Sequence, residues 1–172
     1  MKNFVDLIRK AHTFFDRGFD LLQSPFLLAI RAFWGWQLAQ SGWGKLHNIQ
    51  RVTEFFGTLN LPNPPVFARA VSWLELVGGV LLLLGLWSRP ISLILTGNML
   101  GAYMTSDSEA WHSFFTDDGG NFSFFGGDTG KFFAADPFPY LMVSVVVLLF
   151  GAGLFSVDAL IGRLWGKKEK AA

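Results

Sequence analysis

Glu75 is a carboxylic acid inside a run that otherwise reads as lipid-soluble, Trp73-Leu-Glu75-Leu-Val-Gly78-Gly79-Val-Leu-Leu-Leu-Leu-Gly85-Leu-Trp87. From Val66 to Leu86 the run spans about 30 Å as a helix at ~1.5 Å per residue, enough to cross a bilayer. An unpaired acid at that depth costs ~2.5 to 3.5 kcal/mol on insertion scales, so it must be neutral, face a wet cavity or hold a cation. Arg31, the other strongly charged residue inside an apolar run, is the expected partner from a neighbouring helix. Lys45 completes the leading constellation, with Gln37 and Gln40 nearby. An acid held between two cations suits anion binding or proton exchange. A salt bridge that fixes helix register is the plainer alternative.

The helix that must carry Arg31 spans Pro25 to Gly44, started by a capping Ser24 and Pro25 at the first helical position. Arg31, Gly35, Leu38, Gly42 and Lys45 fall on one stripe of it. Ala32, Gly35, Ala39 and Gly42 recur at helical spacing and should let another helix come close. The two glutamines suit hydrogen bonds between helices or contact with a ligand. Trp34, Trp36 and Trp43 would line the apolar part of a ligand pocket, and Trp43 also suits an interfacial belt. In the third span, Gly97-Asn98-Met-Leu-Gly101 has the spacing of a close helix contact, with Asn98 a packing hydrogen bond or a ligand contact.

Other chemistry is scarce. Asp107-x-Glu109-x-x-His112 contains one Glu-x-x-His step, but a di-iron site needs two copies and further carboxylates, so a helix cap is the better reading. His12, His47 and His112 make no metal motif. Without cysteine, the chain cannot form disulfides or ligate an iron-sulfur cluster. No phosphate-binding glycine loop or nucleophile-base pair is present.

The 172 residues are 51% hydrophobic and 16% charged, with a mean hydropathy of +0.37, too apolar for an ordinary soluble domain. A net charge of +1 gives no reason to expect nucleic acid as a partner. The expected architecture is a single all-α domain over 1–172, an integral membrane four-helix bundle with spans at 25–44, 66–87, 90–106 and 139–155. An amphipathic interfacial helix over 4–22 precedes it, with Phe4, Leu7, Ile8, Ala11, Phe15, Phe19 and Leu22 at helical spacing. A short helix around 51–59 precedes the second span. Residues 107–136, rich in glycine and phenylalanine, form an interfacial loop or lid. Ser156-Val-Asp158 caps a short C-terminal amphipathic helix ending in Lys167, Lys168 and Lys170. Basic residues gather near the two ends and at Arg89, which places both termini in the cytoplasm.

Arg31, Trp34-Gly35-Trp36-Gln37, Ser41-Gly42-Trp43-Gly44-Lys45-Leu46, Phe55-Phe56-Gly-Thr-Leu-Asn-Leu-Pro62, Glu75-Leu-Val-Gly78-Gly79 and Phe150-Gly-Ala-Gly153-Leu-Phe-Ser156-Val-Asp158 together resemble the DoxX family of bacterial membrane proteins. The resemblance covers about Pro25 to Ile161. It implies a four-helix domain of the bacterial inner membrane and a link to quinone-coupled oxidation of thiosulfate or another small sulfur compound. Two positions depart: Ser41 stands where many members carry His, and Ala152 where many carry Pro. The phenylalanine-rich loop is also longer than the family pattern.

The resulting expectation is a membrane subunit of a quinone-linked redox system. Glu75 would exchange protons, Arg31 would hold it or neutralise an anion, and Lys45 would guard the outer mouth. A membrane-bound or membrane-associated partner would supply the redox centre, the chain itself holding no cofactor beyond a quinone. The alternative is a non-catalytic scaffold that assembles membrane proteins through its glycine faces. Either is compatible with a homo-oligomer.

Overall fold

The computed structural model describes residues 2–117, 119–124 and 127–169, with side chains from 22 to 164. The described chain is helical: α1 (Lys2–His47), α2 (Ile49–Thr58), α3 (Pro64–Leu84), α4 (Ser88–Thr105), α5 (Ser108–Phe115), α6 (Thr129–Ala134), α7 (Pro137–Phe150) and α8 (Val157–Glu169).

Helices α1, α3, α4 and α7 ring a common core, α1 packing along α3 and α4 along α7. Leu38, Leu82, Ile91, Leu95, Met99, Val143 and Val147 fill it. Large apolar side chains also point outward from these helices, among them Phe33, Trp36, Trp73, Val77, Leu93 and Met142. Buried Arg31, Ser72, Glu75, Ser92 and Ser144 point inward. Apolar surface of this extent around a partly polar interior is unlike a soluble monomer. Among the described residues, α3 is the helix long and apolar enough to cross a membrane alone, while α7 is apolar but only 14 residues long.

The α1–α3 contact is backbone on backbone. A Cβ on Gly42 would lie 2.3 Å from the Leu76 nitrogen, and one on Gly79 2.5 Å from the Ala39 nitrogen. Gly35 likewise faces the Gly79 carbonyl. The expected close contact is therefore made by Gly35, Ala39 and Gly42, whereas Ala32 is exposed. The opposite holds for Gly97 and Gly101: nothing lies within 4 Å of a Cβ on either, so this spacing joins no helices here.

Several expected boundaries move. Ser24-Pro25 starts no helix, because α1 runs unbroken through Pro25. One missing backbone donor is tolerated, and Ser24 Oγ instead accepts from the Leu154 amide at 3.2 Å. Of the apolar face expected over 4–22, Leu22 is exposed, and the rest lies, like the terminal lysines, outside the described side chains. Helix α3 ends at Leu84, where Gly85 takes φ +66. The last long helix stops at Phe150, five residues early, because Gly151 and Gly153 adopt positive φ.

The 107–136 region is an ordered cap over the described part. Tyr103, buried at the end of α4, stacks on Phe132 with ring centroids 4.4 Å apart and donates to its carbonyl at 2.7 Å. Phe114 packs on the same ring at 4.3 Å, joining α5 to α6. Glu109 on α5 is ion-paired with Lys131 on α6.

Candidate functional site

The glycine contacts set α1 and α3 antiparallel, with Gly42 level with Glu75 and Arg31 level with Gly85. Arg31 and Glu75 are therefore separated by roughly 15 Å along α3 at ~1.5 Å per residue. Their expected pairing does not form. Lys45, one turn beyond Gly42, takes that place: its Nζ lies 2.5 Å from Glu75 Oε1. Ser41 Oγ donates to Glu75 Oε2 at 3.0 Å. Both carboxylate oxygens are thus engaged from α1, and the Glu75 side chain is only 6% exposed against 34% for Lys45.

Arg31 builds a separate, structural knot. Its Nη1 donates to the Leu82 and Leu83 carbonyls at 3.1 and 3.4 Å, and its Nη2 to the Phe155 carbonyl at 2.8 Å. Both α3 carbonyls lie in its last turn, where Leu82 also accepts from the Gly85 amide at 3.2 Å and where a cation is favoured by the helix dipole. Asp158 works on the other side of the same corner, accepting from the Trp87 and Ser88 amides, each at 2.9 Å, and from Ser88 Oγ at 2.6 Å. Burial raises its pKa, but these hydrogen bonds and the charge of Arg31 outweigh that and hold it below the ordinary carboxylate range. Asp158 therefore caps α4 across the fold, while Ser156 caps its own α8 by accepting from the Ala159 amide at 3.1 Å.

Two cavities meet at the Lys45–Glu75 pair. One, of about 490 Å³, runs between α2, α3 and α4 and is lined by Arg51, Phe55, Phe67, Val71 and Asn98 besides the pair. The other, of about 670 Å³, lies towards α7 and is lined by Trp34, Ser41, Asp107, Asp136 and Tyr140. The Asp107 pKa is raised, first by burial and then by the nearby charge of Asp136. A buried carboxylate paired with a half-buried lysine, between an apolar chamber and one bearing carboxylates and hydroxyls, can hold a small polar head and exchange a proton with it.

Among the expected site residues, the structure brings Lys45, Glu75, Trp34 and Asn98 onto these cavities. Gln37 is half-buried and lines neither, Gln40 is exposed, and Trp36 and Trp43 point outward. Ser41, Tyr140, Asp107 and Asp136 were not expected there. Ser41 is discernible in the sequence, standing four residues before Lys45 and so on the same face of α1, whereas Tyr140 on α7 and Asp136 just before that helix carry no sequence signal of contact. Glu109 is taken up by Lys131, and no group of three metal-ligating side chains occurs among the described residues.

Residues 26–107 match the family model DoxX. This stretch is a DoxX domain. The match includes Arg31, Ser41, Lys45, Glu75 and Asn98 but stops before α5, short of the Ile161 reached by the resemblance read from sequence. DoxX is a membrane family, which agrees with the outward apolar surface around the buried Glu75 of the DoxX domain. No curated protein and no solved structure matches the chain.

Proposed function

We propose that this chain is a membrane subunit of a quinone-linked redox system, with the quinone head received at Lys45 and Glu75. The observation that carries the reading is the ion pair of buried Glu75 with half-buried Lys45, shared by an apolar and a polar cavity. Lys45 donates to a quinone oxygen, and Glu75 accepts from a quinol hydroxyl or delivers a proton. Full reduction of a quinone takes two electrons and two protons. The electrons come from a partner that oxidises a donor such as thiosulfate or another small sulfur compound. The protons pass through the Glu75 cavity. Arg31 holds the bundle together and stands apart from this chemistry.

The reading includes four membrane crossings by α1, α3, α4 and α7 in the bacterial inner membrane, with both termini cytoplasmic. A polar interior explains why α1 and α4 look less apolar than α3, since shared buried groups lower the hydropathy of each helix. Membranes containing Glu75→Gln test the function. Retained folding and complex assembly with lost quinone reduction supports it; unchanged reduction refutes it. Loss of assembly alone favours the scaffold role.

A further inference from the structure

The 490 Å³ cavity extends beyond the ion pair into an apolar space bounded by Phe55 and Phe56 of α2, Phe67 and Val71 of α3, and Gly97 and Gly101 of α4. Both glycines are exposed, with nothing within 4 Å of a Cβ on either, so the missing side chains keep this space open without bringing helices together. Phe67 is itself exposed, so the space reaches the outer surface of the bundle. Its volume lies within the range of ligand-sized pockets, about 300 to 1,000 Å³.

We propose that this cavity seats the hydrocarbon chain of the quinone, with Gly97 and Gly101 as its floor and the chain leading from the ion pair towards lipid. The inference rests on the quinone reading above. The polar end selects the occupant. Exposed Arg51 also lines the cavity and can attract a phosphate, but a phosphate seated at the pair itself would lie beside the Glu75 carboxylate, a like-charge contact. A quinone-quinol head is neutral and can both accept from Lys45 and donate to Glu75, matching the mixed pair.

The test uses the full chain in detergent micelles, titrated calorimetrically with a decyl-substituted benzoquinone and with the same head lacking the chain. Each buried methylene contributes roughly fourfold in affinity, so filling the floor with Gly97→Leu/Gly101→Leu should weaken the decyl compound about tenfold or more. Affinity for the bare head should stay the same. Equal losses for both compounds, or no loss for either, overturn the chain site while leaving the quinone reading in place. Wild type that binds neither compound overturns both. A co-purifying phospholipid that the leucine variant loses and the decyl quinone cannot displace assigns the cavity to lipid and overturns the proposal. Should the double variant fail to fold, Gly101→Ala and Gly101→Val provide the same comparison, with a graded loss for the decyl compound expected and a flat response overturning it.

Discussion

Lys45 on α1 and Glu75 on α3 form an ion pair in which the acid is buried and the amine remains a third exposed. The asymmetry has an energetic consequence. Removing only the cation leaves a buried carboxylate without its charged partner, whereas removing both leaves two neutral side chains. Lys45→Met should therefore destabilise the protein by ~3 to 5 kcal/mol, and Lys45→Met/Glu75→Gln by much less. Thermal unfolding in detergent of the two single variants and the double one checks this. Additive losses would show that the pair is not coupled.

The glycines should divide sharply by position. Gly42→Ala and Gly79→Ala drive a Cβ into backbone that cannot retreat unless α1 and α3 separate. Overpacking of this kind costs typically ~1 to 3 kcal/mol and sometimes more. Gly85→Ala should be at least as damaging, because its positive φ adds strain and the new Cβ would lie 2.2 Å from Arg31 Nη1. Gly97→Ala and Gly101→Ala meet no neighbour and should be neutral or gain about 0.5 to 1 kcal/mol from helix propensity. Melting temperatures of the five variants measured side by side decide it, and a loss at Gly97 comparable to that at Gly42 would contradict the helix arrangement.

This contrast also marks where sequence becomes insufficient. The stripe through Gly35, Gly42 and Lys45 identifies the packed face of α1 correctly, because period and polarity are local properties. Gly97 and Gly101 have an equally good spacing but face open space, since spacing alone does not say which helix lies opposite. The same gap explains the missed pairing of Glu75. Arg31 and Lys45 share the stripe, and only the level at which α1 crosses α3 decides that the lysine meets the acid. The start of α3 at Pro64 falls two residues from the expected 66, whereas its end at Gly85 falls short of the expected 87, because an unbroken apolar run does not show which residue takes the left-handed conformation. At Pro25 local preference was overruled because the surrounding packing keeps α1 continuous. Asp158 looked like the cap of its own helix, and nothing in its neighbours announced that it would cap α4 from about seventy residues away.

Asp158 supplies a pH prediction. Its folded-state pKa lies below the unfolded one, so its stabilisation is complete above the ordinary carboxylate value of about 3.9 and fades as pH falls through the lower folded value. Asp158→Asn should cost roughly 0.5 to 2 kcal/mol at neutral pH, the scale of a lost helix cap. Thermal scans from pH 7 down to strongly acidic conditions should show a constant difference between wild type and variant until pH drops below about 4, then convergence. A difference that already shrinks between pH 7 and 5 would mean that Asp158 is not held low by its partners at Ser88, Trp87 and Arg31.

Tyr103 tests the coupling between the bundle and its aromatic cap. The ring stacks on Phe132 and the hydroxyl donates to the Phe132 carbonyl, so Tyr103→Phe keeps the stack and removes only the hydrogen bond. A buried carbonyl left without its donor costs about 1 to 3 kcal/mol. Because Phe132 of α6 also packs on Phe114 of α5, that loss should loosen the cap before it loosens the bundle. Limited proteolysis should then cut faster within 107–136, while protection of α3 from hydrogen exchange stays close to wild type. Exchange rising equally in both regions would show that the cap and bundle unfold as one unit.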